Sequence, residues 1–532
     1  MAGICYGIRS TSIGYGWGTQ IFGCMMCGFL IGVAGGDPAG GLIVGALVQS
    51  IYMGLIAPGG NTPADAALAC CVAAGITVAS QGAIDYDTAV TLAVPVGLLG
   101  ALVTILRYII NGFFVDPAEA YADKADAAGI WRCAFLYPFI IRFALGFTIV
   151  FLAVYAGTDV VAGFLSAIPE WLQHGLSVAG GMLPIMGFAL TIYIIGQPKF
   201  IPLFIIGFFM VQYGGLSVMA ISIFAVCIML FLAFLDVDRD NKYAELYGEE
   251  DFDDFEDEEK ADLSEQKILT QNDVNYFVAR WLCFCEVPHS YQRMQALALC
   301  SAMAPALEKM YPGEENKEKL ASALHREMMY FNTQGIWGSS VLGVALAMEE
   351  EQAITQAMTE EQATASINGL KVGFMGPFAG VGDTIDWATF QYLLIGLGLP
   401  FALEGNPMGI LFQSVGFPVL ATCEALFFTN MGYNLGRTAI GSMFTSGLID
   451  RLIDTSCMIG MMMMGALTNS YVHISLASEE AQATLDKIIP GILPLVFTFG
   501  LYLIMLYKTQ NMPMITAGIL LISVIGALIG LL

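Results

Sequence analysis

The chain has 532 residues, of which 57% are apolar and 13% charged, and its mean hydropathy is +0.69. Soluble domains run roughly 45–50% apolar and 25% charged. The composition therefore excludes a water-soluble globular protein, makes lipid the solvent for much of the chain and, with a formal net charge of -25, gives no expectation of a nucleic-acid partner.

The first residues, MAGICYGIRSTSIGYGWG, hold one Arg with no clean apolar run and no small-residue cleavage site. No cleaved signal peptide is expected, and insertion falls to the mature helices. Residues 21–57 are apolar but cut by Gly and Pro into pieces that read as short or broken helices, and 372–381 reads the same way. Such backbone is tolerated at membrane depth only where protein buries it or a cavity adjoins it. Six other stretches, 89–110, 134–156, 202–235, 408–431, 488–506 and 514–532, are long enough to cross or enter a bilayer, which takes roughly 20 apolar residues.

The negative charge is concentrated between the two apolar halves, where residues 236–265 carry 15 Asp or Glu against three Lys or Arg. Like charges repel and apolar content is low, so 236–266 reads as a disordered cytoplasmic linker, with a docking tail for a basic partner as the alternative. It separates a first membrane domain, 1–235, from a second, 267–532. The second opens with an amphipathic stretch, 267–351, whose Arg280, Arg293, Lys309, Lys317, Lys319 and Arg326 assign it to the cytoplasmic side. Within it Thr270 stands as a helix cap before NDVNYFVARWLCF. RMQALALCSAMAPALEKMYP spaces Met294, Leu297 and Leu307 for a helix that either lies along the interface or packs on protein.

The 12 Cys include Cys24 and Cys27 as CxxC and Cys283 and Cys285 as CxC, without a second pair at zinc spacing, and read as reduced, small apolar residues. His174, His289, His325 and His473 have no partners at metal spacing, and no GxxxxGK[ST] loop is present to bind a nucleotide. No metal or cofactor is expected. A phosphohistidine carrier needs a soluble domain around its His, which none of the four has.

The two halves echo one another. GGNTPAD (59–65) and GVGDTID (380–386) each place a Gly-rich, acid-bearing breakpoint between apolar segments, and paired interruptions of this kind point to a transporter binding site. Acids in such surroundings cost a few kcal/mol each in lipid and are expected to face a cavity or a partner group; Asp37, Asp65, Asp383, Asp386 and Glu424 qualify. A polyol is held by carboxylates and amides that take neighbouring hydroxyls, with an aromatic ring against its apolar face. The ingredients are Gln49, Asn61, Asp65, Asn332, Gln334, Asp383 and Trp387. The competing reading of each is a helix cap or an interhelical hydrogen bond, and DTIDW lets Asp383 cap the helix after it. Trp337 reads as an interfacial anchor.

GDPAGGLIVGALVQSIYMGLIAPGGNTPADAALA (36–69) and AIPEWLQHGLSVAGGM (167–182) resemble the IIC subunit of mannose, fructose and sorbose phosphotransferase systems. After the linker, RMQALALCSAMAPALEKMYP, HREMMYFNTQ (325–334), VLGVALAMEE (341–350), INGLKVGFMGPFAGVGD (367–383) and GALTNSYVHI (465–474) are similar to successive blocks of the IID subunit. The resemblance implies an all-α polytopic protein of two inverted, pseudo-symmetric halves with broken helices, an elevator-type core moving against a scaffold, and assembly as a homotrimer of IIC–IID pairs in the bacterial cytoplasmic membrane. It further implies import of a mannose-like hexose or amino sugar, phosphorylated by a His on a separate IIB protein that IIA, HPr and enzyme I recharge from phosphoenolpyruvate. Where the family's IID block runs GDP, an aromatic and Trp, this chain has Thr384 for the Pro and Asp386 for the aromatic before Trp387. Asp386 is therefore expected to add a carboxylate to the sugar site and leaves the sugar open. An ion-coupled sugar symporter is the competing function, and a non-transporting membrane receptor ranks behind it.

Overall fold

The computed structural model describes residues 1–53, 64–80, 86–167, 184–195, 198–217, 267–436, 448–509 and 512–531, with scattered positions between 171 and 231. Helices make up nearly all of its regular structure. Among the described residues there is no strand, only isolated bridges joining Ser290 to Met294 and Met294 to Phe331. Residues 59–63 and the acidic segment 236–266 lie outside the described residues.

The first half begins with Ala2–Ser10 and Gly18–Ile21, then a tight helical hairpin of Cys24–Gly35 and Pro38–Tyr52. Gly36, at φ 90°, ends the first arm in a left-handed conformation that glycine adopts without strain. Asp37 caps the second by accepting from the Gly40 N–H at 2.9 Å, and Pro38 follows in the first turn. The arms touch backbone to backbone: a methyl on Gly28 would stand 2.2 Å from the Gly41 carbonyl, and one on Gly41 would stand 2.3 Å from that of Gly28. In lipid, where tails are as apolar as side chains, such close van der Waals approach is what holds helices together. The same reciprocal device joins the two halves of the chain, Gly207 lying against Met462 O and Gly465 against Phe204 O.

Tyr86–Gly112 and Tyr137–Ala167 are long helices, the second continuing Ala127–Trp131 through a π-helical turn at Arg132–Leu136. Each shows an apolar stripe outward, with Leu99, Leu102 and Ile109 on one and Ile140, Phe151 and Tyr155 on the other, while the opposite faces bury Arg107 and Arg142. Among the described residues, Ala127–Gly157 and Met408–Asn434 are each long and apolar enough to cross a membrane; Glu479–Ile488 and Ile492–Tyr507, bent by 78°, make a third if they form one span. The expected continuous span at 202–235 stops early: Ile201–Gln212 ends before Gly214 and Gly215, the latter at φ 59°.

The expectation of a break at 372–381 is corrected. Glu360–Gly382 is one helix through Pro377, and it runs on through a π-helical stretch, Asp383–Phe390, into Gln391–Leu403. Away from water a broken segment would leave N–H and C=O groups unpaired, so the chain keeps helical bonding and absorbs the irregularity as a widened turn. Asp383 consequently lies within a continuous helix and caps nothing.

In the second half Thr270 and Asp273 form a capping box at Gln271–Phe284. Ala296–Met310 is packed on protein, with Leu297 and Leu307 buried, which decides against its lying along the interface. Two hydrophobic cores result, and they do not follow the division of the chain at its linker. One joins the first half to residues of Gln391–Leu403, Leu448–Tyr471 and Ile492–Tyr507; the other joins Ala118–Ala134 to 269–348 and to residues of Phe417–Leu435.

Candidate functional site

The two halves enclose a cavity of about 370 Å3 at their seam. The Ala2–Ser10, Pro38–Tyr52, Ala66–Ala79, Tyr86–Gly112 and Tyr137–Ala167 helices line it from one side. The segments 286–295 and 332–334 and the Asp383–Phe390 turn line it from the other. A hollow of about 470 Å3 beside Phe427 and Asn430 is an open surface depression with no charged side chain.

Six of the eight expected site residues, Gln49, Asp65, Asn332, Gln334, Asp383 and Trp387, meet around the seam cavity. Asn61 lies outside the described residues. Asp386 does not reach the cavity: it stands 1% exposed behind the wall, accepting from Gln334 Nε2 at 2.7 Å and Trp337 Nε1 at 3.2 Å. The expected added carboxylate in the sugar site is therefore corrected to a support for the wall residue Gln334 and for the buried Trp337. Trp337, expected as an interfacial anchor, is buried against Phe428 with ring centroids 4.3 Å apart.

Hydrogen-bond satisfaction sorts the wall into two kinds of residue. Asp65 is largely spent on structure: it caps Ala66–Ala79 by accepting from Leu68 N at 3.0 Å, accepts from the Tyr6 hydroxyl at 2.8 Å, and lies 3.6 Å from the Arg107 guanidinium. It comes this close because Gly100 has no side chain, a Cβ there standing 2.3 Å from Asp65 Cβ. Gln334 is spent likewise, its Oε1 accepting from the N–H groups of Ile336 and Trp337 at 2.9 and 2.7 Å. Gln49, Asn332 and Asp383, by contrast, have no protein hydrogen bond from their side chains among the described residues, although Gln49 is only 8% exposed. Buried polar groups are normally paired, so these three are the ones with capacity left for a ligand. Trp387 is fixed beside them, donating to the Tyr15 hydroxyl at 3.0 Å with Tyr15 edge-on at 5.4 Å. Its ring is a ready apolar platform.

The formal charges of the cavity lining balance. Arg9, Arg107 and Arg142 are matched by Asp65, Glu286 and Asp383, an arrangement that suits a neutral, hydroxyl-rich ligand. Sequence reasoning missed Arg107, Arg142, Glu286, His289 and Gln295. The two arginines carried a signal that was available, a cation inside an apolar helix. Arg142 spends its donors on Ser10 O at 2.9 Å, Glu286 O at 2.9 Å, Val287 O at 2.5 Å and Ser12 Oγ at 2.7 Å, stitching the first half to the second.

The family model described as the PTS system mannose/fructose/sorbose family IID component matches residues 268–532, and that of the PTS system sorbose-specific IIC component matches residues 1–231. The mannose-specific EIID component of the Escherichia coli phosphotransferase system (strain K12) is 32% identical over 288 residues, covering 50% of this chain and 96% of that protein. This chain belongs to the mannose/fructose/sorbose family of phosphotransferase-system membrane components. It joins a IIC component to a IID component in one polypeptide, and the family's members are integral membrane proteins of sugar transport. The fructose permease IID component of Bacillus subtilis is 32% identical, covering 50% of this chain and 98% of that protein. On the IIC side the N-acetylgalactosamine permease IIC component 1 of E. coli is 33% identical over 188 residues, covering 35% of this chain and 69% of that protein. A solved complex of the mannose transporter ManYZ with microcin E492 is 31% identical over 50% of this chain and 99% of its own, with a TM-score of 0.30.

Proposed function

We propose that this IIC–IID fusion is the sugar-binding and translocating unit of a phosphoenolpyruvate-dependent phosphotransferase system in the bacterial cytoplasmic membrane. It holds a hexose or amino sugar in the seam cavity and delivers it inward to a separate IIB protein for phosphorylation. The observation that carries the reading is the convergence of Gln49, Asn332 and Asp383, polar groups without protein partners, beside Trp387 in a charge-balanced cavity between the IIC and IID halves. Phosphorylation then makes uptake one-way, because the charged product cannot return through a largely apolar path without losing its hydration.

The 1–235 and 267–532 units act as one pair, and the acidic 236–266 connection sets their ratio at one to one. An inverted relation of the halves, elevator movement of a core against a scaffold, assembly into a homotrimer, and recharging of IIB by IIA, HPr and enzyme I complete the proposal. The identity of the sugar is left to the assay. Membrane vesicles containing the full chain are supplied with enzyme I, HPr, IIA and IIB, and phosphoenolpyruvate-dependent conversion of labelled hexoses and amino sugars is followed. Conversion of one sugar supports the proposal. Uncoupler-sensitive accumulation of free sugar without conversion replaces it with an ion-coupled symporter, and no uptake under either energy source replaces it with a receptor.

A further inference from the structure

The 286–295 segment carries a buried constellation that sugar binding alone does not use. His289 is 2% exposed, lines the cavity, and has Nδ1 3.0 Å from Glu286 Oε2, a close contact that falls short of hydrogen-bond alignment. Glu286 is itself fixed, its Oε1 accepting from Gln295 Nε2 at 2.7 Å while Gln295 Oε1 accepts from Thr333 N at 3.0 Å. The imidazole stacks on Tyr108 with centroids 4.7 Å apart and planes at 21°.

The backbone is clamped as well. Asn111 Nδ2 donates to Val287 O at 3.0 Å and to His289 O at 2.8 Å, beside the Arg142 bonds to Glu286 O and Val287 O. A carboxylate that holds one imidazole nitrogen leaves the other, Nε2, as the basic atom.

We propose that His289, positioned by Glu286, is the general base of phosphoryl transfer at the cytoplasmic end of the seam cavity. This rests on the group-translocation reading above. The segment belongs to the stretch whose Lys and Arg assign it to the cytoplasmic side, where a soluble phosphoryl donor arrives. Asp65 is already committed to Tyr6, Arg107 and its helix cap, and Asp383 has no group that orients it as a base, so His289 is the lining residue equipped for the role. In the step, the sugar hydroxyl oxygen attacks the phosphorus of the IIB phosphohistidine. The P–O bond forms as the P–N bond breaks, and the electron pair of the P–N bond returns to the donor imidazole. The hydroxyl proton passes to His289 Nε2 and leaves to water after the sugar phosphate departs. Glu286 and Tyr108 touch the His289 ring, Tyr291 lies edge-on against Tyr108, and Arg107, Arg142 and Asp383 line the same cavity.

The test uses the full chain in vesicles with enzyme I, HPr, IIA and IIB. His289→Gln is expected to lower kcat of phosphoenolpyruvate-dependent phosphorylation by about 10²- to 10⁴-fold, the usual worth of a general base. The Kd for the unphosphorylated sugar, measured without IIB, is expected to stay near that of the unaltered chain. Glu286→Gln provides a second reading: without the carboxylate beside Nδ1, kcat is expected to fall, by less than in His289→Gln and with the sugar Kd unchanged, and Glu286→Asp is expected to recover part of the loss. Unchanged kcat in His289→Gln, loss of sugar binding together with kcat, or an unchanged kcat in Glu286→Gln overturns the assignment while leaving group translocation intact. Absence of any conversion by the unaltered chain overturns the group-translocation reading, and this proposal with it.

Discussion

Replacing Asp383 by Asn and Asp386 by Leu separates a group that binds ligand from one that builds the wall. The Asp383 carboxylate lines the cavity without a protein donor among the described residues, so its amide replacement leaves the folded state as it was. A hydrogen bond to a charged group contributes about 1.5–3 kcal/mol. At about 1.4 kcal/mol per factor of ten, Asp383→Asn is expected to weaken sugar binding roughly 10- to 150-fold with an unchanged melting midpoint. Asp386 is the acceptor for Gln334 Nε2 and Trp337 Nε1, and Leu strands both buried donors at about 1–3 kcal/mol each. Asp386→Leu is therefore expected to lower the melting midpoint, and to weaken binding only as Gln334 shifts. Titration calorimetry and thermal melts on the detergent-solubilised chain, with and without sugar, read both quantities. Equal Kd for Asp383→Asn and the unaltered chain, or a melt lowered as much by Asp383→Asn as by Asp386→Leu, refutes the division.

Gly382→Val is expected to reduce both sugar affinity and the melting midpoint, because a Cβ there meets Gln334 Cδ and Oε1 at 2.5 Å and drives the amide off Ile336 N and Trp337 N; retention of both in binding and melting assays counts against that packing. Thr270→Ala removes the capping box of Gln271–Phe284 and is expected to cost about 1 kcal/mol, read as a lowered melting midpoint. At the same helix end, the Lys309 ammonium beside Asp273, with help from Thr270, holds the Asp273 carboxyl below its ordinary value. The resulting stabilisation is fully present above the unfolded value of about 3.9 and is lost as pH falls through the lower folded value. Lys309→Met is accordingly expected to flatten the fall of melting midpoint below about pH 4, and an identical slope in the two proteins refutes the pairing.

Polar residues in Gly-rich apolar sequence are costly enough in lipid to stand out, which is why Gln49, Asp65, Asn332, Gln334, Asp383 and Trp387 could be named before their meeting place was visible. Their division of labour was not legible. Asp65 is committed to Tyr6 and Arg107, and Gln334 to Asp386, through contacts 42 to 59 residues apart in the chain that no local pattern announces. Arg142 was passed over because its partners are backbone carbonyls and a hydroxyl more than a hundred residues away rather than a countercharge. His289 reads as part of an amphipathic stretch and Glu286 carries no signal of its own; only the fold brings Tyr108 and Asn111 of the first half against His289. Thr270 was legible as a helix cap and a cap was the competing reading of Asp65, whereas Asp37, expected to face a cavity or a partner group, caps Pro38–Tyr52 and does not line the seam cavity. The continuity of Glu360–Gly382 was misjudged because Gly and Pro were given the weight they have in water.

Sugar binding at the seam is tested most directly by a structure of the full chain in lipid nanodiscs with its converted sugar bound. Sugar density is expected in the seam cavity, its hydroxyls within hydrogen-bond reach of Asp383, Asn332 and Gln49 and one face against Trp387. Sugar density elsewhere, with those side chains still unpartnered, contradicts it.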